Sequence, residues 1–583
     1  MNDQEVRERN ASRPWPRVGY LRRYGPALLV VAALVAAGTV ATTRSQNASP
    51  PGGSAGTGST GNLADLASNP RLPITYQMAE KAGTTAHYQW VQGCDVKTGR
   101  LKIPTVYAPP CVPVTHGSNG GATAPGVTAT TVTVVYYIPP PGDLASLVEG
   151  AAGNPASNLL TAQNYAAMFN HVMPLYGRRV QVVPLYASGT STDAVAARAD
   201  AIRVAQQIHA FASIGGPAQT PVYQDELARM HVLCLSCGVG SPYSEFHQDA
   251  PYLWSSLPPS DTVLIDAFTY ITTQLLHRDA VWAGQASFRD ERRRFALVSY
   301  EENPPIFGSL TKELDERFAK SGLTFVAHLS YVLDLTTLPE EAATVAEQLK
   351  RSNATTVVFA GDPIMPIYLT KACAAIGYYP EWVITGTVLT YTSTLGRLYD
   401  QGEWAHAFGI SSISVPTPIQ AGDAYHLYRW FFGTDPPAAE TAPVILPPIE
   451  QLFFGLELAG PDLNGDTFAG GLFRYPPAGG TPTTPLQSYG YQGAPPLPSF
   501  ATPSDYTFVW YDPTAKGEDE EGVPGTGLIR YVDGGKRYPA ATFPTNQVPM
   551  FKMAGSVTGD PNAPAGEGAP NYPPWPGSPI AKG

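Results

Sequence analysis

Five cysteines, two glycine-rich runs and one aspartate-bearing turn are the places in this 583-residue sequence whose residue types and spacing could do chemistry. Cys94 and Cys111 enclose a polar, proline-bearing stretch, CDVKTGRLKIPTVYAPPC, that has no core of its own and would gain from covalent closure, so we pair them. Cys234 and Cys237 admit three readings: a short disulfide loop, two buried apolar thiols, or a metal site with His231 and His247. On a straight strand their Cα atoms would stand about 10 Å apart, too far to bridge, so a disulfide requires the strand to end near Leu235. Cys373, beside the apolar face of a helical run, reads as a buried thiol. An odd count leaves at least one cysteine outside any internal pair.

The remaining motifs lose their chemistry once their context is considered. Gly56-x-Gly58-x-x-Gly61 matches a dinucleotide fingerprint, and Ser54 among Gly52, Gly53 and Gly56 matches a nucleophile elbow. Both fall in a Gly/Ser/Thr run that supplies neither the strand nor the helix these motifs need. Asp462-x-Asn464-x-Asp466 resembles the start of a calcium loop, but Thr467 stands where the tight turn needs glycine and no glutamate follows at position twelve, so we expect a loop and helix cap. There is no phosphate-binding loop, no His-Glu-x-x-His and no serine motif in a structured context. The sequence therefore points to a binding protein rather than an enzyme, with no metal and no cofactor.

Composition and charge set the frame in which a binding site would sit. The first 44 residues carry 7 Lys+Arg against 3 Asp+Glu, whereas the whole chain has a net charge of -11, so the body is acidic and does not suit phosphate-backbone binding; nucleic acid is excluded as a partner. Tyr24 to Thr43 is uncharged, spans roughly 30 Å as a helix, and follows an arginine-rich segment, which predicts a membrane anchor with the body outside. Cleavage near Thr39-Val40-Ala41, leaving a secreted protein, is the alternative. SQNASPPGGSAGTGSTGN (45–62) has the composition of a flexible spacer.

Beyond Gly126, strand and helix patterns alternate. TVTVVYYI (131–138), a helical run to Val172, VQVVPLY (180–186), a helix with one apolar face from Ala197 to Ala212, FASIGG, a short helix, HVLCL and the helical stretch Asp261 to His277 make one series. FALVSY (295–300), a helix over 310–321, TFVAHLSYV, a helix over 339–352, TTVVF, a helix over 365–376 and WVITG make a second. Tandem βαβα series imply parallel sheets with helices on both faces and ligands at the carboxyl ends of strands.

The order and spacing of several segments resemble the class I solute-binding proteins of the leucine/isoleucine/valine-binding type, the extracytoplasmic receptors of ABC importers. The segments are GVTATTVTVVYYIPPPGD, FASIGGPAQTPVYQDELARMHVLCLSCG, FALVSYEENPPIFG, VVFAGDPIMPIYLTKACAAIGYYPEWVITGT and LELAGPDLNGDTFAGGLF, within about Gly126 to Tyr538. The resemblance implies an α/β fold of two Rossmann-like lobes joined by three crossovers, near 278–294, 405–418 and 498–506. The implied organisation is a basic segment 1–23, an anchor helix 24–43, a linker 44–75, lobe 1 from 76–280 and 410–500, lobe 2 from 281–409 and 501–552, and a Pro/Gly-rich tail 553–583. VWYDP…GLIRYVDGGKRY becomes a late strand pair of the second lobe, turned at Asp533-Gly534-Gly535.

The same resemblance implies a small-molecule ligand held by Gly215, Gly216, Gln219, Thr220, Gly238 and Ser241 on the first lobe and by Phe307, Gly361, Asp362 and Thr387 on the second. Glycine-loop N–H groups and the Gln219, Thr220 and Ser241 side chains can bond a carboxylate or amide. Amino-acid binders of this type carry an acid at the position of Thr387 to hold the ligand ammonium, so neutral or anionic ligands are expected here. Asp362 is either the substitute counter-charge or the cap of the helix that follows it. The implied partner is an ABC permease; a surface sensor or adhesion module on the same fold is the alternative.

Overall fold

β-branched and aromatic residues form the long strand β1 (Thr131–Ile138), and around it assemble β2 (Arg179–Tyr186), β3 (Ala212–Ile214), β4 (Leu233–Leu235) and β5 (Leu253–Trp254) as an all-parallel sheet of order β2-β1-β3-β4-β5. A second sheet repeats the plan. β6 (Phe295–Tyr300), β7 (Ala327–Tyr331), β8 (Thr356–Ala360), β9 (Glu381–Ile384) and β10 (Ala407–Ser411) run parallel in the order β7-β6-β8-β9-β10. The antiparallel strands β11 (Asp505–Glu518) and β12 (Pro524–Tyr531) extend it past β10, and β13 (Arg537–Pro539) pairs with the start of β11. The hairpin β11–β12 closes where Glu518 pairs with Pro524, not at Asp533–Gly535 as expected; the latter is a tight turn, with Asp533 at φ 51°, that leads into β13.

These statements rest on a computed structural model that describes residues 63–140, 154–217, 220–238, 240–300, 316–334, 336–387, 389–492, 498–520, 522–566 and 568–581. The basic segment 1–23, the expected anchor 24–43 and the spacer up to residue 62 lie outside the described residues. All described residues fall in the unit Pro50–Gly583.

Helices α1 (Pro155–Val172), α2 (Ala194–Ile202) and α3 (Val222–Arg229) connect the strands of the first sheet. α1 begins where the sequence signals a start, with Pro155 in its first turn and the Asn154 side chain accepting from Ala156 N at 2.9 Å. α4 (Ser260–Tyr270), continued by a wider turn to Leu275, was expected to close the first lobe. Instead its apolar face, Val263, Leu264, Ala267 and Tyr270, packs with Phe295, Leu297, Phe408 and Ile410 in the core of the second sheet. The first crossing therefore precedes Ser260 rather than falling at 278–294. α5 (Leu338–Arg351) and α6 (Met365–Ala375) lie in the second series.

After β10 the chain returns to the first lobe as α7 (Asp423–Phe432), α8 (Ala442–Ala459) and α9 (Gly465–Phe473), whose apolar residues join the first core; Phe500 is the last of that core before the chain crosses again, and Tyr506 belongs to the second. α8 has 18 residues and a mean hydropathy of 1.2, long and apolar enough to cross a membrane, yet 83% of it is buried against α1, α7 and α9, so it is a core helix.

Both chain ends of the body are docked. Residues 63–75, expected as linker, are held by Arg474, which donates to the carbonyls of Ala67, Asn69, Leu72 and Pro73, and by the Arg71–Asp462 ion pair at 2.8 Å. The Asp462–Asp466 turn forms the expected cap: Asn464 Oδ1 accepts from Thr467 N at 3.0 Å and Thr467 Oγ1 from Asn464 N at 2.9 Å. The segment expected as a tail is also packed, through Trp575 and Tyr572, against the first lobe.

Candidate ligand-binding site

In a sheet of this order the connections run to opposite faces from the first strand and the third, which leaves a crevice at their carboxyl ends. That point lies between β1 and β3 in the first sheet and between β6 and β8 in the second. Gly215 follows β3 and Gly361 follows β8, so two of the expected loops sit at the two crevices. Gln219 and Phe307 lie outside the described residues.

On the first lobe Gly215 adopts φ 77°, open to glycine without strain, and its N–H donates to Leu235 O at 2.8 Å. A Cβ on Gly216 would stand 2.8 Å from the Tyr223 ring. Tyr223 is the floor of this loop: it is buried, its hydroxyl lies 2.8 Å from Ser213 Oγ, and its ring meets Tyr137 at 5.2 Å. Thr220 is buried and its Oγ1 accepts from Val222 N at 3.3 Å, so its side chain serves the start of α3. Ser241 Oγ accepts from Gln224 Nε2 at 3.2 Å, and Gln224 also donates to Glu245 Oε2 at 3.0 Å. The turn from Gly238 to Ser241 is fastened to the first crossing by Ser260 N to Ser241 O, 3.2 Å, and Tyr243 N to Asp261 Oδ1, 2.9 Å.

Between these loops lies the disulfide Cys234–Cys237, with Cα atoms 5.6 Å apart. The strand does end at Leu235, and Ser236 at φ 55° turns the chain so that Cys237 Sγ comes back to 3.6 Å from the Cβ position of Gly216. His231 and His247, the other members of the metal reading, stack on Tyr252 and Tyr243 instead. Cys94–Cys111 is the second disulfide, and Cys373 is free and buried. Among the described residues no group of three His, Cys, Asp or Glu could hold a metal ion.

On the second lobe the Asp362 side chain is fully occupied. Oδ1 accepts from Ile364 N at 2.6 Å and Met365 N at 3.1 Å, at the start of α6, and Oδ2 accepts from Tyr331 OH. Tyr331 OH in turn accepts from Asp362 N at 3.1 Å, and it occupies the space a side chain at residue 361 would need, so Gly361 is a packing requirement of this pair. Burial pushes the Asp362 carboxyl up, against the hydrogen bonds that favour its ionised form. Thr387 is buried; its hydroxyl lies 2.9 Å from Thr385 Oγ1, which donates to Phe359 O at 2.9 Å, and its carbonyl accepts from Thr390.

The expected site residues do not include Tyr223, Tyr331 and Thr385, which lie beneath these loops. All three sit on regular elements or at their ends, and only alternation along TFVAHLSYV hinted that Tyr331 points inward. The cap carries a test: Asp362→Ala should lower unfolding free energy by about 2 kcal/mol, while Asp362→Asn, which can cap as well, should lose under about 1 kcal/mol. Urea unfolding midpoints measure both, and an alanine variant as stable as the parent would remove the capping role.

No family model and no curated protein matches this chain. Solved structures similar to it include substrate-binding proteins of ABC transporters. One is from Aeropyrum pernix, with 13% identity over 70% of this chain and 96% of that one, at a TM-score of 0.47. A solute-binding protein from Rhodopseudomonas palustris BisB5, in complex with 3,4-dihydroxybenzoic acid, has 12% identity over 70% and 98%, at 0.42. The branched-chain amino acid transporter substrate-binding protein LivJ from Streptococcus pneumoniae, in complex with isoleucine, has 12% identity over 69% and 100%, at 0.42.

Proposed function

We propose that this chain is an extracytoplasmic receptor that takes a small neutral or anionic molecule between its two lobes and presents it to an ABC permease, held at the membrane by the segment 24–43. The observation that supports this reading is the repeated strand order, with a glycine loop at the switch point of each sheet: Gly215–Gly216 in one and Gly361 in the other. Backbone N–H groups at such loops that are not used by the sheet, as the Gly215 N–H is, can bind carboxylate or amide oxygens without needing a charged side chain. Chemistry beyond capture is not required of any residue at these loops, since Ser241, Thr220, Asp362 and Thr387 all bond to neighbouring protein groups.

Native mass spectrometry of the gently purified full chain is the direct test. A stoichiometric small molecule, released on denaturation and carrying no net positive charge, is the expected result. A chain that is ligand-free as isolated and whose melting temperature is unmoved by a panel of amides, organic acids and aromatic acids would defeat the receptor reading.

A further inference from the structure

The hinge of a two-lobe protein of this plan is made of its crossings, and here a further length of chain runs beside one of them. At its start the C-terminal segment belongs to the second lobe. Tyr531 and Val557 exchange backbone hydrogen bonds at 2.7 and 3.0 Å, Gly534 N donates to Gly555 O at 2.6 Å, and Trp510 Nε1 to Ser556 Oγ at 3.4 Å. It then follows the second crossing, where Asp560 N donates to Pro416 O at 2.8 Å and Gly566 N to Ala421 O at 3.0 Å. At its end it belongs to the first lobe. Trp430 Nε1, on α7, donates to the carbonyls of Tyr572 and Pro573 at 3.2 and 3.0 Å, Tyr572 OH donates to Asp95 Oδ2 at 2.7 Å, and Ser578 Oγ bonds Phe431 O.

The far anchor is shaped for this segment. Trp575 joins the first core and fills the space over Gly93, in the loop tied by Cys94–Cys111, where any Cβ would collide with its indole; Ile580 does the same over Gly433 at the end of α7. An indole N–H bonded to successive carbonyls of a proline-rich stretch is the arrangement by which aromatic grooves hold extended peptides. From Val557 to the Trp430 anchor at Tyr572 the chain can reach about 50 Å at most; its bonds to the second crossing at Asp560 and Gly566 divide that span, and Pro561 and Pro564 restrict how it can extend.

We propose that residues 557–580 are an interlobe strap, a fourth connection that limits how far the lobes open. A rotation about the three crossings alters the distance between Val557 and Trp430, and the strap must stretch, shorten or release one anchor to allow it. The strap depends only on the two-lobe fold and on the contacts of this segment, so it stands or falls independently of any ligand.

Spin labels at Val195→Cys on the first lobe and Val326→Cys on the second, both exposed, report the interlobe distance in the full chain. Removing residues 558–583 should broaden the distance distribution about twofold and shift it to longer values. Inserting six Gly/Ser residues between Pro561 and Asn562 leaves both anchors intact but slackens the span, and should reproduce the broadening. If truncation broadens the distribution and the insertion does not, the docked mass rather than the tether is responsible and the strap is overturned. Distributions unchanged in both variants overturn it equally, and if the truncated chain does not fold, the insertion alone decides.

Discussion

Leucine will bind this chain no more tightly than 4-methylpentanoate, the same acid without its amino group. Enclosing an ammonium with no opposing charge costs several kcal/mol, and about 4 kcal/mol is a thousandfold in affinity. Of the loops proposed to meet the ligand, the second lobe contributes Thr387, whose hydroxyl pairs with Thr385, and Asp362, both of whose oxygens are taken by α6 and Tyr331. Neither is positioned to receive an ammonium without first giving up one of these bonds. Calorimetry with both compounds, on the parent and on Asp362→Asn, separates the cases. Leucine binding tenfold or more tighter than the desamino acid would sink the ligand-class argument. Loss of that preference in Asp362→Asn would make Asp362 the counter-charge after all; its survival would point to an acid elsewhere.

Thermal stability will rise by several degrees as the pH is lowered from 8 to 5, the reverse of what an acidic chain held by surface ion pairs would do. Burial pushes several carboxyls up: Asp266, whose oxygen accepts from Ala541 N at 2.8 Å, to about 7, Glu457 on α8 to about 7, and Glu403, bonded by Trp382 Nε1 at 3.0 Å, to about 8. In the first core burial pushes both Glu450 and Asp423 up, and the Asp423 charge pushes Glu450 further. An acid whose folded pKa lies above its unfolded value keeps a proton that the unfolded chain gives up. Stability from these groups is therefore greatest below the unfolded pKa near 4 and is lost as the pH rises toward 7 or 8. A single fully buried group such as Glu457 is worth up to about 3 kcal/mol over that window.

At lower pH the sign reverses. Asp512 is raised by burial but lowered further by its bonds from Thr514 and Arg530, so its contribution is present above about pH 4 and lost as the pH falls through its depressed pKa. An optimum near pH 5 is the expected profile. Scanning calorimetry from pH 4 to 8.5 measures it, and Glu457→Gln should raise the melting temperature at pH 8 while leaving pH 5 nearly unchanged. A melting temperature that is flat or climbs with pH between 5 and 8 would show that these carboxyls ionise in the folded chain without penalty.

Elements set by a local period were legible in the sequence alone. TVTVVYYI and FALVSY form strands over the expected residues, α5 and α6 fall within a residue or two of their expected limits, and Cys94 closes on Cys111, because β-branched runs, 3.6-residue spacing and capping residues act on chain neighbours. Tertiary structure decided which partner each element found. The apolar face of α4 says that it packs but not on which sheet, and it packs on the second. The Cys234–Cys237 bond depended on where β4 stops, which its pairing with β3 and β5 governs. Asp362 became a cap because Tyr331, from a strand 31 residues earlier, took its second oxygen. The residues from 63 to 75 and the proline-rich end read as spacer and tail because nothing in their own sequence can bury them. Arg474, Trp430 and the bare surface of Gly93, hundreds of residues away along the chain, supply the donors and the cavity that do, and such complementarity exists only once the chain has folded.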